Sequence, residues 1–130
     1  MVLNIMRNHT KARGRKLPGH TSGKMNSTER KYAREVLDPA LKAGEIISFT
    51  FEAFTIRLGP KRTSWTPDFV VLRKDRELEM VDVKGTRPDE SAQRTKIKMA
   101  AHQWPAFHFV VARQRLKRDG GGFQREEIGA

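Results

Sequence analysis

The chain has 130 residues, with 26 Lys and Arg against 15 Asp and Glu, for a formal net charge of +11. A chain of this length can bury one real core without staples and is expected to form one domain, and 37% hydrophobic against 32% charged residues points to a modest core with polar ends. With no cysteine, disulfides and thiolate metal sites are excluded, so any metal must sit on oxygen or imidazole.

No run of about 18 apolar residues is there to span a bilayer, and residues 1–26 lack both the apolar stretch of a secretory signal and the amphipathic pattern of an organellar presequence. A soluble, cytoplasmic protein is the expectation. Its basic surface favours a polyanionic partner, because cations that neutralise phosphates release counterions.

Residues 1–25 read as a basic arm. Arg7, Lys11, Arg13, Arg15, Lys16 and Lys24 occur there with no acid, among Gly14, Pro18, Gly19 and Gly23. Arg13, Arg15 and Lys16 are candidate nucleic-acid contacts. At Asn26 the pattern changes, since NSTERKYAREVL offers Asn26 as N-cap and Glu29 at the capping-box position. Tyr32, Ala33, Val36 and Leu37 then make one buried helical stripe. Asp38 is expected to cap a new turn that begins at Pro39, and Gly44 to end it.

Residues 46–58 alternate through Ile47, Phe49 and Phe51 and change phase to Phe54, Ile56 and Leu58, which predicts a strand bent or bulged near Glu52 and Ala53. Gly59, Pro60 and Lys61 form a loop. Two further apolar runs, 65–73 and 77–84, flank Lys74, Asp75 and Arg76. Beyond Gly85, Asp89 or Ser91 is expected to cap a helix with Ile97, Ala100, Ala101 and Trp104 on one face and Arg94, Lys96 and Lys98 on the other, ending before Pro105. Residues 107–112 suit a buried strand. Residues 113–130 read as a basic and polar tail, opened by Arg113, Arg115, Lys117 and Arg118. The order α, β, β, β, α, β defines an α/β or α+β domain over 26–112.

The hairpin carries the chemistry. Side chains alternate along a strand, so a three-residue loop at 74–76 sets Arg73 opposite Glu77 and Asp68 opposite Asp82, with both carboxylates on one face. Lys84 shares that face, as do Val70, Leu72, Leu78 and Met80; Trp65, Phe69, Val71, Val81 and Val83 take the other. Glu79 falls on that other face and reads as a solvated edge charge. Opposed like charges disfavour a strand pair by ~0.2–1 kcal/mol, and burial raises the cost. A structural ion pair through Lys84 is one explanation; a divalent cation between the carboxylates is the better one. A third acid on the first helix is either Glu29 or Glu35, which position alone leaves open.

Pro67-Asp68, thirteen intervening residues, then Asp82-Val83-Lys84 resembles the PD-(D/E)xK pattern of the restriction-endonuclease-like nuclease superfamily, and in particular small phage nucleases and Holliday-junction resolvases of the endonuclease I type. TPDF on one strand, VDVKG on the next, and NSTERKY opening the helix carry the likeness, which spans roughly 26–112. Asp82 departs from the commoner Glu by one methylene.

The resemblance implies an αβββαβ core with a mixed central sheet and selects Glu29 as the third acid. It further implies Mg²⁺, with Mn²⁺ as a substitute, on Asp68, Asp82 and the Val83 carbonyl, and Glu29 as a further ligand. Lys84 would orient the attacking water, and Lys96 or Lys98 would contact the scissile strand. A phage-derived DNA endonuclease acting on branched DNA as a homodimer in a bacterial host, and leaving 5′-phosphate and 3′-hydroxyl ends, is therefore expected. The alternative is a non-catalytic DNA- or RNA-binding protein on a nuclease-like fold. His9, His20, His102 and His108 show no metal-ligand spacing, and Trp65, Trp104 and Tyr32 are expected in the core.

Overall fold

The structure, a computed structural model, describes residues 23–60, 63–87 and 91–129. Most of the basic arm, with Arg13, Arg15 and Lys16, lies outside the described residues, as does Asp89. Helix α1 (Ser27–Tyr32) begins at the capping box that the sequence announces. Asn26 Oδ1 accepts the Glu29 N–H at 2.8 Å and Glu29 Oε1 accepts the Asn26 N–H at 2.9 Å. The helix continues without a break through a π-helical turn (Ala33–Leu37) into α2 (Asp38–Lys42).

Pro39 explains the wide turn. Its ring has no N–H and would crowd the carbonyl four residues back, and the widened turn, with the Asp38 N–H reaching Ala33 O, relieves this. Asp38 is therefore helical and caps nothing, contrary to expectation. Gly44, at φ 76, closes the segment in the left-handed region.

Five strands form a mixed sheet in the order β1-β4-β5-β6-β7: β1 (Ile46–Phe51), β4 (Phe69–Arg73), β5 (Leu78–Lys84), β6 (His108–Gln114) and β7 (Phe123–Ile128). Only the β5–β6 pair is parallel, joined by the crossover helix α3 (Ser91–Gln103). Strands β2 (Ile56–Arg57) and β3 (Ser64–Trp65) pair as a separate ribbon inserted between β1 and β4.

The phase change after Phe51 thus has a different origin from a bulged strand. At Glu52, φ 47, the chain leaves the sheet, and the irregularity in the β1–β4 ladder lies instead between Ile46 and Ser48, which leaves Ile47 exposed. One sheet face packs Tyr32, Ala33 and Leu37 of the first helical segment on Phe69, Val71, Val81 and Val83. The opposite face packs Ile97, Ala100 and Ala101 of α3 and the β2–β3 ribbon on Val70, Met80, Phe109 and Val111.

Two expectations about this second face need correction. Trp65 belongs to it, beside Phe109, because it lies on β3 and not on β4. Trp104 falls one residue beyond α3, is 47% exposed and stacks on Phe107 at 6.1 Å instead of entering the core.

The third correction concerns the tail. Residues 123–128 form β7, antiparallel to β6, with Ile128 in the core, Arg94 of α3 paired with Glu126, and Arg125 on Glu79. Its sequence, FQREEI, hides this, because an edge strand with exposed charges shows little apolar alternation. No helix among the described residues is long and apolar enough to cross a membrane.

Candidate functional site

The β4–β5 register decides which charges meet. Phe69 pairs with Val81, Val70 with Met80, Val71 with Glu79 and Leu72 with Leu78, and the Arg73 N–H donates to Glu77 O at 2.9 Å. The loop is therefore Lys74, Asp75 and Arg76, with Arg76 at φ 69 and Asp75 accepting both the Glu77 N–H and the Arg73 guanidinium. Extended by one pair, this register sets Asp68 opposite Asp82, at the end of the sheet where α1 starts.

Pro67 shapes that end. Hydrogen-bonded pairs alternate along an antiparallel ladder, so the bonded pair Arg73–Glu77 fixes 71–79, 69–81 and then 67–83 as bonded positions. Pro67 has no N–H, so it can offer no ladder bond to the Val83 carbonyl. The Val83 N–H is taken by a side chain, Asp68 Oδ2 at 2.7 Å. The ladder stops, and one carbonyl and two carboxylates are left at its open end.

The electrostatics there are strained. Burial, first, and then the charges of Asp82 and Glu29 hold the Asp68 carboxyl well above its ordinary range, against the opposing pull of the Val83 N–H. Asp82 is buried, and its Oδ2 lies 3.0 Å from Lys84 Nζ, yet that oxygen accepts no well-aligned hydrogen bond. The distance alone makes an ion pair; the missing hydrogen bond means that its lone pairs are poorly used. Glu29 is buried at the start of α1, whereas Glu35 is exposed near Arg34. Of the two acids that the sequence offers, Glu29 is the one beside Asp68.

Among the described residues, no group of three or more His, Asp and Glu side chains converges as a preformed metal site. Glu29 is turned to the Asn26 N–H and Asp82 to Lys84. What the cluster does show is an orphaned buried carboxylate oxygen, a carboxyl crowded by two others and a carbonyl without its ladder donor. Hard oxygen donors in that state fit a divalent cation.

The other sequence candidates separate. Arg94 is committed to Glu126 on β7. Lys96 is half-buried and Lys98 exposed, and neither is ion-paired with a described residue. His102 is exposed and His108 bonds Glu77.

Glu79 lies on the opposite face, as register requires, but it is no solvated edge charge. It is 5% exposed and receives Arg125 through two hydrogen bonds, at 2.8 and 2.5 Å. Nothing in the hairpin announces this, because the partner comes from a strand that the sequence pattern conceals. Burial, followed by the Glu79 charge, raises the nearby Tyr32 hydroxyl to about 12. A cavity of about 660 Å³ lined by Tyr32, Glu79 and Arg125 adjoins Asp75 of the hairpin loop, remote from the Asp68 end.

Comparisons with known proteins leave this geometry to speak for itself: no family model and no curated protein matches the chain. A solved structure described as "Crystal structure of SSO0001" is similar at 10% identity over 98% of this chain and 77% of its own length, with a TM-score of 0.43, a likeness too slight to support any argument.

Proposed function

We propose that the protein is a divalent-metal-dependent phosphodiesterase acting on DNA, with its site at the open end of the β4–β5 ladder. The observation that supports this most is the meeting of Asp68, Asp82 and Lys84 beside a carbonyl that Pro67 leaves without a donor. Carboxylates facing a polyanion serve a pure binder poorly, since they repel it. The PD-(D/E)xK pattern, and an element order of α, β, β, β, α, β once β7 and the inserted β2–β3 ribbon are set aside, agree with a restriction-endonuclease-like core.

Asp68, Asp82 and the Val83 carbonyl would hold Mg²⁺ or Mn²⁺, with Glu29 as a further or water-bridged ligand. Bound there, the ion would polarise the phosphate and lower the pKa of a coordinated water. Lys84 does the rest of the local work: its ammonium, held against Asp82, orients a water by hydrogen bonding and offsets charge on the phosphate. The water oxygen would form a bond to phosphorus as its proton passes to solvent, the bond to the 3′ oxygen would break and that oxygen take up a proton from solvent, leaving 5′-phosphate and 3′-hydroxyl ends. Lys96 or Lys98 would meet the scissile strand from α3.

The site lies at a sheet end bordered by a helix start and a basic turn, so phosphate position and shape are the features it would read, and branched DNA is the proposed substrate. Two coordinated cuts at a four-way junction would require a homodimer, and a phage or prophage origin accords with such a role.

The test is a Mg²⁺ cleavage panel of four-way junction, splayed arm, linear duplex and single strand, run with the wild type, Asp68→Ala and Lys84→Ala. Cleavage by the wild type alone, fastest on the junction, is the expected result. Cutting that persists in both variants would overturn the site. Tight binding by a wild type that never cuts would favour a non-catalytic nucleic-acid binder, and equal rates on all four substrates would remove the junction preference alone.

A further inference from the structure

The β6–β7 connection, residues 115–122, leaves the sheet at the same end as the carboxylates. Parallel pairing places Asp82 beside Val111 and Lys84 beside Arg113, so Arg115 stands four residues, ~13 Å, beyond the level of Asp82.

The connection has a fixed shape. The Arg115 N–H donates to Gly122 O at 2.9 Å, the Asp119 N–H to Leu116 O at 2.9 Å, and the Gly121 N–H to Leu116 O at 3.0 Å. Gly120, Gly121 and Gly122 run in succession at φ 101, 64 and 66, a path that side-chain-bearing residues rarely follow. On this frame Arg115, Lys117 and Arg118 are all exposed, with Asp119 as the acid among them. Leu116 sits between the cations and is 40% exposed, although no fold requirement places an aliphatic side chain there.

We propose that this turn is a second nucleic-acid contact, in which Arg115, Lys117 and Arg118 grip duplex phosphates while Leu116 lies against the sugar edges of the minor groove. The position relative to the cut rests on the phosphodiesterase reading above. Lying beyond the Asp82 level at the same sheet end, the grip extends the footprint to one side of the site. A preformed turn presents its cations without first having to be ordered, so less of the binding energy is lost on association. The apolar residue among bases fits the wedge that minor-groove proteins press against the helix.

Salt-dependent binding of a short duplex in EDTA tests the turn without any need for cleavage. Lys117→Ala/Arg118→Ala is expected to lower the slope of log affinity against log salt by about two, and affinity at low salt by tenfold or more. Leu116→Ala should weaken binding roughly threefold with the slope unchanged, because apolar contacts release no counterions. An unchanged slope in the double variant overturns the proposal, as does equal displacement of duplex and poly-glutamate, which would mark the turn as a site for acidic protein. A parallel Mg²⁺ cleavage assay separates the two claims. If the wild type cuts and the slope is unchanged, the turn alone fails; if it never cuts and the slope falls, the catalytic site alone fails.

Discussion

Asp68 is the residue on which the site turns, and its titration gives the clearest residue-scale prediction. Its folded pKa is raised by burial and by Asp82 and Glu29, so its protonated form is the one that folding favours. The contribution to stability is complete below the ordinary value of 3.8 and is lost as pH climbs through the raised folded value. Metal-free protein should therefore lose stability on going from acid toward neutral pH, and Asp68→Asn, which keeps an oxygen for the Val83 N–H, should melt higher than wild type at neutral pH and show a flatter profile. Thermal melts across pH in EDTA check this; identical profiles would mean that the carboxyl is not crowded. The acids at this end were legible in the sequence because strand alternation and loop length are arithmetic. Glu79 was not, since its face was countable but its partner, Arg125, lies 46 residues away.

Among the elements, the three-residue hairpin and β7 illustrate opposite cases. Lys74, Asp75 and Arg76 keep an odd loop because Arg76 takes the left-handed position and Asp75 ties back to Glu77 and Arg73. Both signals are local, and so readable. Strand β7 has Gln124, Arg125, Glu126 and Glu127 exposed, and its stability comes from pairing and from ion pairs reaching across the sheet. No periodicity marks such a strand. Arg125→Ala should destabilise the fold by about 2 kcal/mol in urea, below the 3–5 of a fully buried pair because the Arg125 side chain is 46% exposed while that of Glu79 is buried. Adding Glu79→Gln should restore part of the loss. If Arg125→Ala unfolds with the wild-type midpoint, the pair contributes nothing and Glu79 is hydrated in solution.

For the whole molecule, the sheet has two ends of different composition. One gathers the start of α1, the start of β4, the ends of β5 and β6 and the basic turn; the other closes the hairpin around Tyr32, Glu79 and Arg125. Arg115, Lys117 and Arg118, all exposed, lie at the first of these ends, where the proposed chemistry would use them. A chain ending at Gly122 would expose the β6 edge, remove Ile128 from the core and strand Glu79, so it should lose cooperative unfolding; a cooperative transition at the wild-type midpoint would return residues 123–130 to the status of a dispensable tail. The order of the main elements, the first helical stripe and Ile97, Ala100 and Ala101 of α3 were legible as hydrophobic periods, whereas the exposure of Trp104, the ribbon β2–β3 and strand β7 depend on surroundings that no local window contains. Hydrolysis of phosphodiesters is the activity proposed for the Asp68–Asp82 end. Single-turnover cleavage in Mg²⁺ by wild type, Asp82→Asn and Arg125→Ala tests it most directly. Loss of a metal ligand worth about 4 kcal/mol should slow Asp82→Asn by roughly a thousandfold, with Arg125→Ala within a few-fold of wild type at a temperature where both are folded. Cleavage by Asp82→Asn at the wild-type rate would mean that this carboxylate takes no part in the reaction.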